Sequence, residues 1–296
     1  MLIPRILTAL VLIPFVVWGI LKLSADYFAL VFGLVMLLAG WEWTNLIKFR
    51  APLQRALFLG SMLLMMLFIN YWTVVLELAA QISNWPEIRL YSGLIEFLMI
   101  PPVIWWVFIM VVLRNHSQAL LQLELSAKAK FFIGWFVLLA GWMFLSRLHA
   151  IESPEMTLYF FILIWAADIS AYFVGRKFGS TKLSPDISPG KTIAGFYGAL
   201  GSAVVCAIAF GLYFGAILMN FADVMMLSVL TVMISIYGDL FFSLCKRIAG
   251  IKDSGSILPG HGGILDRLDS IIAAAPVFYA GVWFIRWMAD AALVAA

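Results

Sequence analysis

Four aspartates are the residues in this chain best placed to do chemistry. Asp168 (in WAADISAYFVGRKFG) and Asp239 (in ISIYGDLFFSLCKR) lie inside long apolar stretches, and Asp266 and Asp269 follow the turn Pro259-Gly-His-Gly-Gly. A carboxylate at bilayer depth costs roughly 2.5–3.5 kcal/mol on insertion scales, so Asp168 and Asp239 should face the protein interior or a wet cavity. Gly238 permits a neighbouring helix to approach Asp239 closely. Asp266 and Asp269, at i and i+3, project from one face of a helix. With Asp239 they make a hard oxygen-donor set of the kind Mg²⁺ prefers. Zinc would want clustered nitrogen or sulfur ligands, and Cys206 and Cys245 form no such cluster. The structural alternatives are polar contacts between helices for Asp168 and Asp239, and charge that favours a helix dipole for Asp266 and Asp269.

Cations gather beside these acids. Between Ser243 and Asp269 the chain places Lys246, Arg247, Lys252, Asp253, His261, Asp266, Arg267 and Asp269, although only 12% of its residues are charged. Lys191 lies in the segment SPGKT, Ser188 to Thr192. A P-loop would need a glycine five residues before Gly190, where Pro185 stands, and a strand where this segment reads as a loop, so a Walker A site is rejected. Lys191, Thr192 and the free amides of a helix start still suit a phosphate. His261, between glycines, suits phosphate contact or proton movement.

The elements that must position these groups are membrane helices. The 296 residues are 64% hydrophobic and the mean hydropathy is +1.03, which excludes a soluble domain. With about 20 apolar residues needed per crossing, the sequence predicts an all-α polytopic bundle of nine spans: 6–21, 27–47, 56–75, 94–113, 131–148, 157–175, 193–217, 222–244 and 271–288. The first is read as a retained span rather than a cleaved signal peptide. Alternate loops then hold fifteen of the nineteen Lys and Arg residues on one side, leaving Lys22, Arg89, Arg147 and Arg286 on the other. The positive-inside rule puts the N-terminus and the basic loops in the cytoplasm. Nothing resembles a nucleic-acid patch. Residues 1–296 read as one integral domain, with 1–150 mainly scaffold and 151–296 carrying the chemistry.

The charged segment resembles the signature of the CTP-dependent phosphatidate cytidylyltransferases, integral-membrane enzymes that make CDP-diacylglycerol. The likeness rests on Ser243, Lys246-Arg247, Lys252-Asp253, Gly255, Leu258-Pro259, His261-Gly-Gly-Ile, Asp266-Arg267 and Asp269. An upstream block, Asp168, Ala171-Tyr172, Gly175-Arg176, Gly179, SPGKT and Gly195, is similar too. Three positions depart from the pattern: Cys245 stands where the family has a larger apolar residue, and Phe242 and Ala194 where many members carry an acidic or amide side chain.

The resemblance implies nucleotidyl transfer. The phosphate of phosphatidic acid attacks the α-phosphorus of CTP and pyrophosphate leaves. Asp239, Asp266 and Asp269 are implied as ligands to Mg²⁺, with a second cation compatible. Asp239, Asp266, Lys246 and Arg247 are implied in catalysis; Lys191, Thr192, Lys252, His261 and Arg267 in binding phosphates; Asp168, Ser188 and Asp253 in support. The expected setting is a bacterial inner membrane with a cytoplasmic-side site; the oligomeric state stays open, a homodimer among the options. Two other readings compete: a CTP-dependent lipid kinase of polyprenol or phytol type, and a cation-coupled transporter using Asp168 and Asp239.

Overall fold

The computed structural model describes residues 3–214, 220–257 and 262–295, and these are almost entirely helical. In chain order come α1 (Ile3–Lys22), α2 (Ala25–Leu46), α3 (Pro52–Asn70), α4 (Trp72–Ser83), a 3-10 segment (Pro86–Met99), α5 (Ile100–Leu121) and α6 (Ala127–Arg147). A π turn (Leu148–Glu152), α7 (Pro154–Phe178), β1 (Lys182–Ser184), β2 (Ser188–Thr192), α8 (Ile193–Phe214), α9 (Phe221–Ala249) and α10 (Leu265–Ala295) follow. Among the described residues eight helices are long and apolar enough to cross a membrane, and α1 adds the shorter apolar stretch Leu12–Lys22. The expected third span, 56–75, is divided: the helix breaks at Tyr71 and restarts as α4. The seventh span, expected over 193–217, runs beyond the described residues.

The sequence reads SPGKT and the residues before it as a loop, but here they form a small antiparallel hairpin. Lys182 pairs with Thr192 and Ser184 with Ser188. Two short strands so rich in Pro, Gly and Ser carry too little alternation for a strand to be read from sequence. No P-loop results, because five residues before Gly190 there is still a proline.

Polar ties across apolar interfaces fix the bundle. Trp142 Nε1 of α6 donates to the Ala29 carbonyl of α2 at 2.9 Å, and the Tyr159 hydroxyl of α7 meets Ser228 Oγ of α9 at 2.6 Å. In hydrocarbon such bonds have no water to compete with them, which sets helix register. Small residues let α9 and α10 pack closely. A Cβ added at Gly238 would collide with the Cβ of Ala273, so the two helices touch where Asp239 leaves α9.

The two ends of the bundle carry different charge. At one end Arg147 pairs with Glu96, whose Oε2 also accepts the Tyr279 hydroxyl at 2.5 Å. Glu152 pairs with Arg286 at 2.7 Å and Glu77 with Arg89 at 2.6 Å. Three of the four basic residues assigned by sequence to the minority side are therefore matched by a glutamate. The other end gathers the hairpin, the end of α9 and the start of α10.

Candidate active site

A cavity of about 720 Å³ opens at that second end. Its walls come from α7, the hairpin, the first turn of α8, α9 and α10. Asp168 enters from α7, Lys191 from β2, Asp239 and Lys246 from α9, and Asp266 and Asp269 from α10. Each placement follows from local structure. Ser153 caps α7, accepting the Met156 N–H at 3.0 Å, with Pro154 at the first helical position. Helix α9 stops at Gly250, whose left-handed backbone (φ 78°) suits glycine. The turn into α10 passes through Gly262, also left-handed at φ 85°.

The carboxylates are held by lysines and amides. Lys191 Nζ lies 2.6 Å from Asp239 Oδ2 and donates to the Ile236 carbonyl at 3.2 Å. Ser243 Oγ donates to Asp239 Oδ1 at 3.3 Å. Lys246 Nζ lies 2.6 Å from Asp266 Oδ1, and Asp266 Oδ2 accepts the N–H groups of Ser254 at 2.9 Å and Gly263 at 3.1 Å. Asp269 is buried and accepts the Ser270 N–H at 2.8 Å. The four aspartates face five basic side chains around one cavity, those of Arg176, Lys182, Lys191, Lys246 and Arg267. Such a lining suits a polyanion and a cation together, because neither sign fills it alone.

Asp239, Asp266 and Asp269 thus line one cavity. Their hard oxygens suit Mg²⁺ in chemistry. Among the described residues, however, no three acidic, His or Cys side chains stand close enough to hold an ion, and an ammonium sits on one oxygen each of Asp239 and Asp266. Thr192 lines the cavity, but its Oγ1 accepts the Gly195 N–H at 3.1 Å and so caps α8. Arg247 points away from it and donates to the Ile187 carbonyl at 3.2 Å, clipping the hairpin to α9. Lys252 and Asp253 lie on the exposed turn after α9, outside the lining, and Ser188 pairs within the hairpin. His261 falls outside the described residues.

The departures from the signature sit away from the cavity. Phe242 is 1% exposed and stacks its edge against Trp43 at 6.0 Å, so it faces the core between helices. Ala194 does not line the cavity. Sequence reasoning missed Glu42 on α2, which is buried against the start of α10. An acid inside an apolar span was the available signal. It gave Arg176, quoted in the upstream block, no role at the site, and it read Lys182 only as topology.

Comparison with known proteins identifies the family. Residues 3–285 match the cytidylyltransferase family. A phosphatidate cytidylyltransferase of Haemophilus influenzae is 36% identical over 300 residues, covering 96% of this chain and all of that protein. One of Pseudomonas aeruginosa is 34% identical over 288 residues, covering 97% of this chain and 99% of its own length. One of Staphylococcus aureus is 44% identical over 140 residues, covering 46% of this chain and 52% of its own. With the family matched over residues 3–285 and relatives 34–36% identical over nearly their whole length, the chain belongs to the cytidylyltransferase family.

Proposed function

We propose that this protein is a CTP:phosphatidate cytidylyltransferase, joining CTP and phosphatidic acid to give CDP-diacylglycerol and pyrophosphate. The observation that carries the reading is the cavity in which Lys191–Asp239 and Lys246–Asp266 face each other across the walls. Its volume, about 720 Å³, falls in the range of small-molecule and cofactor sites. Full-length relatives named for this activity favour nucleotidyl transfer over γ-phosphate transfer or ion transport.

The chemistry asks little of a base. A phosphomonoester has its second pKa at about 6 and is largely ionised near neutral pH. One of its oxygens forms a bond to the α-phosphorus of CTP, the bond to the β-phosphate oxygen breaks, and pyrophosphate carries away the electron pair. The barrier lies in bringing two polyanions together. Lys191 and Lys246 turn from their carboxylates to phosphate oxygens, and Arg176, Lys182 and Arg267 add positive charge around them. As they stand, Asp239, Asp266 and Asp269 are too far apart to share an ion; drawn together once Lys191 and Lys246 have turned away, they would hold Mg²⁺, which when bound screens phosphate charge. The cavity sits at a helix end, where a lipid headgroup can meet a water-soluble nucleotide.

A cytoplasmic-side site in a bacterial inner membrane, with the N-terminus on the same side, is supported by the basic residues concentrated at that end and by the glutamate partners at the other. Purified protein given CTP labelled at the α- or γ-phosphate tests the activity. Transfer of α-label to lipid with pyrophosphate released is the expected result. Transfer of γ-label with release of CDP identifies a lipid kinase and overturns the proposal.

A further inference from the structure

Glu42 is a buried carboxylate, 1% exposed, that the chemistry above leaves unused. It belongs to α2, far from the signature in sequence, and is absent from the cavity wall. Its Oε2 accepts Ser254 Oγ at 2.9 Å and the Leu265 N–H at 2.8 Å, and its Oε1 accepts the Ile264 N–H at 3.1 Å. Ile264 stands just before α10 and Leu265 opens it, so these N–H groups are among those a helix start leaves without partners. Such a cap ordinarily comes from the residue just before the helix. Here it comes from a residue 222 and 223 positions away. Gly255 and Gly263 wrap the carboxylate, and a Cβ added at either would collide with it.

Asp266 grips the same loop from the cavity side, through the Ser254 and Gly263 N–H groups on its Oδ2. Ser254 therefore joins the two acids: its hydroxyl donates to Glu42 and its amide to Asp266. With Oδ2 fixed in this way, Oδ1 of Asp266 is turned to Lys246. We infer that Glu42 is a positioning residue for the nucleotide site, setting the start of α10 and, through Ser254, the orientation of Asp266. The inference rests on the reading of Asp266 as part of that site.

Only a carboxylate completes this contact. Three donors converge on two oxygens, and a carboxylate is acceptor-only. Glutamine keeps one acceptor oxygen and turns an N–H toward another donor, stranding at least one buried group. The test is a double-mutant cycle on the full-length protein in detergent. CTP binding and turnover are measured for Glu42→Gln, Ser254→Ala, Asp266→Asn and the doubles with Asp266→Asn, alongside melting temperature. Glu42→Gln is expected to weaken kcat/KM for CTP by roughly tenfold to a hundredfold, and Ser254→Ala by a smaller factor. In the Asp266→Asn background, where CTP affinity serves as the readout, both losses should shrink to near nothing, because coupled groups do not add. Equal factors in both backgrounds, or no loss with Glu42→Gln, overturn the inference. If Glu42→Gln does not fold, Ser254→Ala decides by the same criterion. Unchanged CTP binding and turnover in Asp266→Asn alone would instead remove the nucleotide-site reading.

Discussion

Lys191 and Asp239 meet at 2.6 Å inside the cavity, an ammonium from β2 against a carboxylate from the middle of α9. The pair ties the hairpin wall to the helix wall. On the proposed reading, it also keeps the lysine at the cavity wall for an incoming phosphate. Replacing Lys191 by Ala should lower kcat/KM for CTP by roughly tenfold to a hundredfold, the worth of a hydrogen bond to a charged group. Arg at this position keeps the charge but replaces a compact ammonium with a planar fork, so it should restore only part of the rate. Steady-state rates at varied CTP check both variants, and wild-type behaviour of Lys191→Ala would take Lys191 out of the site.

The carboxylates make a separate prediction about metal. Mn²⁺ binding followed by electron paramagnetic resonance should weaken in Asp239→Asn and in Asp266→Asn. The loss should exceed the roughly 10–100-fold typical of losing an outer-shell partner. In the wild type, a chelator should abolish turnover and Mg²⁺ should restore it. Full activity in excess chelator would sink the metal reading.

The opposite end of the bundle should affect stability and leave chemistry alone. Glu96 holds both Arg147 and the Tyr279 hydroxyl with little exposure. Glu96→Ala leaves a largely buried guanidinium without its partner, a loss of about 3–5 kcal/mol where burial is complete and less here. The melting temperature in detergent should fall, while the KM for CTP at permissive temperature should stay within about twofold, since distant sites act independently. A large KM change would mean that the two ends communicate.

Much of this was legible in the sequence because membrane insertion penalises charge so heavily. Asp168 and Asp239 had to find a polar cavity, and the spacing of Asp266 and Asp269 placed them on one helix face, so their meeting with Asp239 could be anticipated. Lys252 and Arg247 were harder to place. A basic residue near a helix end looks the same whether it faces a cavity, solvent or a backbone carbonyl, and Arg247 turned to Ile187. Glu42 was hidden for a different reason: its partners lie more than two hundred residues away, and no local pattern encodes a contact of that range. The hairpin escaped because three- and five-residue strands leave almost no periodicity to read.

The cap that α2 lends to α10 bears on how far this protein can be shortened. A fragment starting after residue 150 would keep every aspartate and lysine of the cavity, yet the last helix would begin with its amides bare and its loop glycines closing on nothing. A minimal catalytic core cut by motif alone would therefore be a poor starting point for engineering, and any trimmed version must bring the WEW turn of the second helix along with it.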